Sequence, residues 1–320
     1  MNTPQGDPTT TMLDLRQVLD KNGLGELIGR DASNLRQEEW QAIDDEVIEV
    51  ARPLLQAREI LRPIIDTRFK GAGWTEIKSR KATDRGAAVT DMSGDPENAD
   101  LRTISDVLIK APVHHAESFI GWRNLEASRH SREPLDVSAQ GDAGAVVGQR
   151  EEAFVALGDS ALGIDGLCNP TDRSTTAGAS WSAGSGAGVK NAFADINAMS
   201  AYLDGDNTEK VTYAGRKILV VNPVEGKRLK ARFEDGAGGS PLKDVMDAKL
   251  IDALWVNPQQ TAGKACMFPL NKAYARWFHL QDVTTDELPA RGRNTLLSTY
   301  AINTVQIRMG KAFVERTGLT

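Results

Sequence analysis

The sequence predicts an α+β fold, in which helical and extended segments follow one another in blocks rather than in strict alternation. Three observations carry that expectation. An amino-terminal stretch with little apolar content leads into a clear amphipathic helix. A long extended region between residues 64 and 110 is punctuated by one dense turn signal. A long helix beyond residue 136 carries glycines at three interior positions, Gly141, Gly144 and Gly148. The chain has 320 residues, a hydrophobic fraction of 40% and a net charge of −6. That length suits one large domain or two intimate ones and is enough to bury a core.

Residues 1–11 are rich in Pro, Thr and Asn and read as an extended arm. Thr11 and Asp14 form a capping pair ahead of Met12, Leu15, Val18 and Leu19, which share one helical face. Gly23, Gly25 and Gly29 end that short helix. The next helix is stronger. Asn34 and Gln37 resemble a capping box, and Trp40, Ile43, Val47, Val50, Leu54 and then Ile60 or Leu61 track one face. Pro53 falls inside this pattern, so a kink or break is expected there, and Pro63 closes the segment.

The stretch KGAGWTEIKSRKATDRGAAVTDM and the β-branched run after GDPENAD (94–100) read as two extended segments joined into a long hairpin. Such a hairpin holds too few apolar residues to stand alone. Arg68, Lys70, Lys78, Arg80, Lys81 and Arg85 fall close together here, with Trp74 among them. They are the candidate subunit-contact residues: either a solvated strand face or one side of a charged contact between copies.

Asp136 opens the long helix, in which Ala139, Ala143, Val146, Ala153, Phe154 and Leu157 fall at helical spacing before the stop at Gly158. Each interior glycine costs about 1 kcal/mol of helix propensity relative to alanine, which makes sense where another backbone packs closely. Residues 170–188 form a Gly/Ser/Thr/Ala loop, followed by a helix from about Val189 to Leu203 with Val189, Phe193, Ile196, Met199 and Leu203 on one face. RKILVVNP, IDALWVNP, KACMFPL and AYARWFHL read as strands, and LKDVMDAKL as a short helix. The end, STYAINTVQIRMGKAFVERTG, reads as two strands with Val305, Ile307 and Met309 on one side and Ala312 and Val314 beyond Gly310.

The search for chemistry excludes most function classes. The start MNTPQGDPTTTM has no basic or apolar leader pattern, and no window approaches the roughly 20 apolar residues of a membrane span, so assembly in a cytoplasm without membrane contact is expected. Cys168 and Cys266 are expected to be buried small apolar residues, not a disulfide framework or a metal site. GSGAGVKN (184–191) lacks the Lys and Ser/Thr positions of a phosphate loop. His114, His115, His130 and His279 show no metal spacing, and the adjacent pair points to opposite faces of a strand. Ser180, Ser182 and Ser185 form no nucleophile elbow, and Asp204, Asp206 and Asn207 lack the bidentate Glu of a calcium loop. With every catalytic class missing together, the sequence predicts a structural protein with no cofactor and no metal. Its mild acidity argues against a sequence-specific nucleic-acid binder but suits a container that must not immobilise its contents.

From Ala111 to Asn169 the sequence resembles the shell proteins of encapsulins and the major capsid proteins of tailed phages that share their fold. The resemblance rests on a strand into FIGWRNLEASRHSREPLD, on Pro134–Leu135–Asp136 ahead of the helix, on Glu151–Glu152 near its end, and on the turn Gly163–Leu167. QEEWQAIDDEVIEVARPLL is similar to the amino-terminal helix of encapsulins, and MGKAFVERTG to a strand returning to the spine domain. The resemblance implies the tailed-phage major capsid fold. An N-terminal arm and helix would cover 1–63 and an extended β-hairpin loop 64–110. A peripheral domain with the spine helix would take 111–169 and 296–320, and an axial domain 170–295. It also implies partners: copies of the chain in the pentamers and hexamers of an icosahedral shell, a portal, decoration or scaffolding proteins, and packaged DNA held by non-specific contact. The added arm and long loop favour a viral capsid located in the virion, with an encapsulin-like compartment enclosing a cargo enzyme as the alternative.

Overall fold

A computed structural model describes residues 35–82, 104–131, 134–182, 186–231, 240–291 and 294–319. The expected arm with its short helix, the Asn34 cap, the GDPENAD turn and Arg85 lie outside the described residues.

Helix α1 (Gln37–Ala51) buries Trp40, Ile43, Val47 and Ala51, the face its periodicity predicts. Its start differs from the expected Asn34–Gln37 pair: the Arg36 N–H donates to Glu39 Oε2 at 2.7 Å, so the reaching carboxylate sits two residues further on. Pro53 ends the α-helix as expected. It falls in a 3₁₀ turn (Arg52–Leu54), after which α2 (Gln56–Ile60) and a second 3₁₀ turn around Pro63 continue the segment.

A four-stranded sheet follows, in the order β1 (Ile65–Asp66), β11 (Ala275–Arg291), β12 (Asn294–Ile307), β4 (Val113–Ile120). β1 runs parallel to β11, and the other neighbours are antiparallel. β2 (Glu76–Ala82) and β3 (Ile104–Lys110) form the expected hairpin, registered from Glu76 opposite Lys110 to Ala82 opposite Ile104. Helix α3 (Trp122–Ser131) then leads to the long α4 (Ser138–Leu157).

α4 lies across one face of the four-stranded sheet, and α1 lies against α4. The glycines explain that approach. A Cβ on Gly144 would meet Val47 Cγ1 at 3.0 Å and the Val47 carbonyl at 3.3 Å, and one on Gly141 would meet the Glu46 side chain at 3.0 Å. The neighbour these glycines admit therefore belongs to the same chain. The apolar register differs from the expected one: Ala139 and Val146 are exposed and Val147 is buried. With small residues on every side, the α4 sequence has almost no amphipathic contrast to read, so contact with α1 and the sheet sets its face.

The second sheet has five strands in the order β7 (Ser174–Ala177), β13 (Val314–Thr317), β10 (Lys264–Leu270), β8 (Arg216–Val221), β9 (Ala253–Val256). The largest apolar core lies around it, with Trp255, Met267, Phe268 and Phe313 fully buried, and α5 (Gly186–Leu203) packs against β10 and β13. On α5, Ala192 joins Ile196, Met199 and Leu203 in the core, whereas Phe193, expected on that face, is 37% exposed. A short β5–β6 pair (Gly158–Asp159, Ile164–Asp165) follows α4, and helices α6 (Pro223–Lys230) and α7 (Pro241–Asp247) flank the sheet.

Sheet pairing departs from the expected domain partition at two places. β11 falls within the range given to an axial domain, yet it pairs with β12 in the sheet under α4. β13 falls in the range given to the peripheral domain, yet it pairs with β10 and β7. The chain passes from one sheet to the other through β12 and the turn at Gly310–Ala312, so sequence neighbours end in different layers.

Candidate assembly surface

The hairpin is anchored at its root by its inward residues. Ile77 and Ile109 are buried against Phe278, Leu280 and Ile302 of the four-stranded sheet. Ser79 Oγ donates to Gln306 Oε1 at 2.8 Å. Two buried isoleucines contribute about 3–6 kcal/mol of transfer free energy, enough to seat the root. The opposite face stays open: Leu108 is 64% exposed, and Lys78 and Arg80 flank it on the partner strand. Asp106 pairs with Lys78 at 2.9 Å and lies 3.7 Å from Arg80; the Lys78 ammonium holds its carboxyl below the usual range.

The segment leading into the hairpin carries the remaining predicted candidates. Arg68 is held by Asp66 through Nε–Oδ1 at 2.9 Å and Nη2–Oδ2 at 2.6 Å, which keeps the Asp66 carboxyl low. Trp74, 44% exposed, meets Phe69 edge to face at 5.3 Å, and Phe69 in turn meets Phe278 at 5.8 Å. Arg68, Lys78 and Arg80 line one cleft of about 490 Å³, together with Asp106, Arg276 and Arg308. Lys70 lies in a second cleft of about 610 Å³ with Arg58, Arg62, His279 and Asp282. The structure thus gathers five of the seven candidates around the hairpin root. Of the other two, Lys81 is described only as part of β2, and Arg85 lies outside the described residues. Arg276 and Arg308 were not foreseen, because they sit some 200 positions later and reach the cleft only through the ends of β11 and β12.

Behind the second cleft the chain is clipped to α4 by two consecutive glutamates. Arg58 Nε and Nη2 both donate to Glu151 at 2.7 Å, and its Nη1 donates to Asp282 at 2.6 Å. Glu152 Oε1 accepts the Ala57 N–H at 2.6 Å, capping the first turn of α2. Burial pushes the Glu152 carboxyl up to about 7. His279, 3.1 Å from Asp282 and stacked on Trp277, has its pKa lowered by burial and by the Arg58 charge. The sequence resemblance marked this glutamate pair without assigning it a task; the structure gives it one, holding the amino-terminal segment in place.

The remaining polar motifs have structural partners. His114 is buried beside Phe154, with ring centroids 4.8 Å apart, while His115 is exposed on the other face, as strand alternation predicts. Asn207 Nδ2 donates to the Tyr202 and Val211 carbonyls, making the 204–207 stretch a polar turn. In the glycine-rich loop, a Cβ on Gly188 would lie 2.4 Å from the Ser182 carbonyl, so that glycine serves close backbone packing. Cys168 and Cys266 are both buried, and they meet. The Cys168 thiol and burial together push the Cys266 thiol up, which keeps it protonated. Among the described residues, no cluster of three or more His, Cys, Asp or Glu is placed to hold a metal ion, and no helix is long and apolar enough to cross a membrane.

Comparison with known proteins bears on this architecture. The type 1 encapsulin shell protein EncA of Myxococcus xanthus is 30% identical over 164 residues, 50% of this chain and 55% of that protein, so the match spans about half the relative's length. The virus-like particle of Pyrococcus furiosus superposes with a TM-score of 0.62 at 17% identity, covering 85% of this chain and 98% of the other. The capsid of Myoviridae Phage XM1 superposes with a TM-score of 0.59 at 16% identity, covering 81% and 91%. These superpositions show the tailed-phage capsid fold that the sequence resemblance implied. The family model described as Linocin_M18, encapsulating protein for peroxidase, matches residues 26–253, and the chain belongs to that family.

Proposed function

We propose that the chain is the structural unit of a closed protein shell that encloses a protein cargo, a peroxidase-type enzyme being the cargo class its family description names. Membership of that family is the observation that carries the reading. It favours the cargo compartment over the viral capsid, because the phage likeness is one of fold alone. The open hairpin supports self-assembly: its inward face is seated, and Leu108 and its charged neighbours are left for another copy. In this reading the seven hairpin candidates, Arg68 to Arg85, serve subunit contact, and the chain has no catalytic role. Five- and six-fold clusters of the chain close the shell inside the cell. With protein as contents, the portal, the decoration or scaffolding proteins, the packaged DNA and the virion drop out of the partner set.

The test is expression of the full chain, followed by size-exclusion chromatography, negative-stain microscopy and assay of particle contents. Closed particles containing protein and no nuclease-protected DNA are expected. Particles filled with protected DNA would restore the viral reading, and a discrete monomer would overturn both.

A further inference from the structure

The seam between α4 and the four-stranded sheet holds polar side chains as well as apolar ones. His114 of β4 lies under α4 with its ring against Phe154. Ala301 of β12 is its register partner, so Asn303, two residues on, shares that face, and His279 of β11 stands opposite Asn303. His114 is 6% exposed and Asn303 is wholly buried. Among the described residues, His114 Nε2 has no hydrogen-bond partner. Neither Oδ1 nor Nδ2 of Asn303 has one either, although the amide approaches the ring.

The charged groups that face this ring are already engaged. Glu151 of α4 receives both Nε and Nη2 of Arg58. Arg150 of α4 is paired with Asp159 of β5 at 2.7 Å. On the neighbouring strand His279 lies 3.1 Å from Asp282, which also accepts from Arg58. A neutral imidazole suits this setting. An imidazolium does not, because no carboxylate oxygen is within hydrogen-bond reach of its Nε2. Burial accordingly holds His114 below its ordinary value of 6.5, with the Glu151 carboxylate pulling the other way.

We propose that His114 is an acid-sensitive latch of α4: neutral, it lets the helix lie on the sheet, and protonated, it forces α4 away from β4 and β12. The device acts within one chain, so it stands or falls separately from the shell reading. The unfolded chain takes this proton below about 6.5 and the folded chain resists it. The stability His114 contributes is therefore full above pH 6.5 and is lost as pH falls. Glu152, beside Glu151 on α4, is raised to about 7 and acts in the opposite sense. The latch must therefore be read at α4 itself and by difference between chains.

Hydrogen exchange of the α4 amides, followed by mass spectrometry on the full chain and corrected for intrinsic rates, provides that reading. In the unaltered chain α4 is expected to exchange roughly ten-fold faster at about pH 5 than at about pH 7.5, while β8 and β10 stay unchanged. His114→Gln keeps a polar side chain that does not titrate, and should reduce the α4 response to less than about two-fold. His114→Phe, which fills the space beside Phe154, carries the same expectation should the glutamine variant fail to fold. His279→Gln removes the neighbouring imidazole and should leave the response in place. No acceleration in the unaltered chain, an equal response in the folded His114 variant, or loss of the response in His279→Gln would each overturn the latch.

Discussion

The two faces of the four-stranded sheet are built from the same strands and meet different fates. The inner face is filled by its own chain: Leu297, Thr299 and Ala301 of β12 lie buried under α4 and α1, with exposures of 0%. Among the described residues the outer face is filled at one end, where Ile77 and Ile109 sit, and the other end keeps Phe119 in solvent. Alternation along a strand normally separates core from water. Here it separates a face that the chain covers along its length from one that it covers in part.

Substitutions sharpen that contrast. The largest effect belongs to the inner side. Phe154, wholly buried on α4 against His114, is expected to cost about 3–5 kcal/mol when replaced by alanine, read by chemical denaturation of unassembled chain. Next comes Arg58→Ala. It strands Glu151, 1% exposed, without its bidentate partner, and about 3 kcal/mol should be lost. Arg58→Lys should recover only part of this, because an ammonium cannot match both oxygens.

Glu152 adds a pH dependence. Its carboxyl is raised from 4.5 to about 7, so the folded chain holds a proton that the unfolded chain releases above 4.5. Stability contributed by this group is present below about pH 4.5, declines as pH rises, and is gone above about 7; the full span is up to about 3 kcal/mol. Glu152→Gln keeps an acceptor for the Ala57 N–H and should flatten that part of the stability–pH curve; an unchanged slope would assign it to other groups. The smallest effect on the chain belongs to the outer side. Leu108→Ser should change melting of the unassembled chain by less than about 0.5 kcal/mol while lowering particle yield. A comparable loss in both measurements would erase the distinction between the two faces.

Much of this plan is legible in the sequence, and the failures have physical causes. The hairpin, the Pro53 break, the α1 face and the strand at Arg216–Val221 follow from local signals that the tertiary structure leaves intact. β7 was read as loop, because Ser174, Thr175 and Thr176 carry no apolar pattern; it is an edge strand held by β13 alone. α6 was not predicted, although Asn222 before Pro223 is a helix-start pair and its side chain accepts the Val224 N–H at 3.1 Å. The cationic cleft was half legible. Its hairpin residues cluster in sequence, whereas Arg276 and Arg308 join only when β11 and β12 are paired. The strand of six buried residues from Ala301 to Gln306 defeats alternation because α4 covers one side and the hairpin root lies over part of the other.

The glutamate clip and the hairpin are separated by fewer than twenty residues of chain, Ala57 and Arg58 on one side and Glu76 on the other. Between them the backbone rounds the edge of the sheet at β1. Each hairpin strand of seven residues is about 24 Å long at some 3.4 Å per residue, with its root lying on the sheet. Such a length is a lever: a rotation of about 5° at its fulcrum moves the far end by about 2 Å. The seat of Ile77 and Ile109 on the sheet is that fulcrum, and the clip of Ala57 and Arg58 to Glu152 and Glu151 fixes the chain that leads into it.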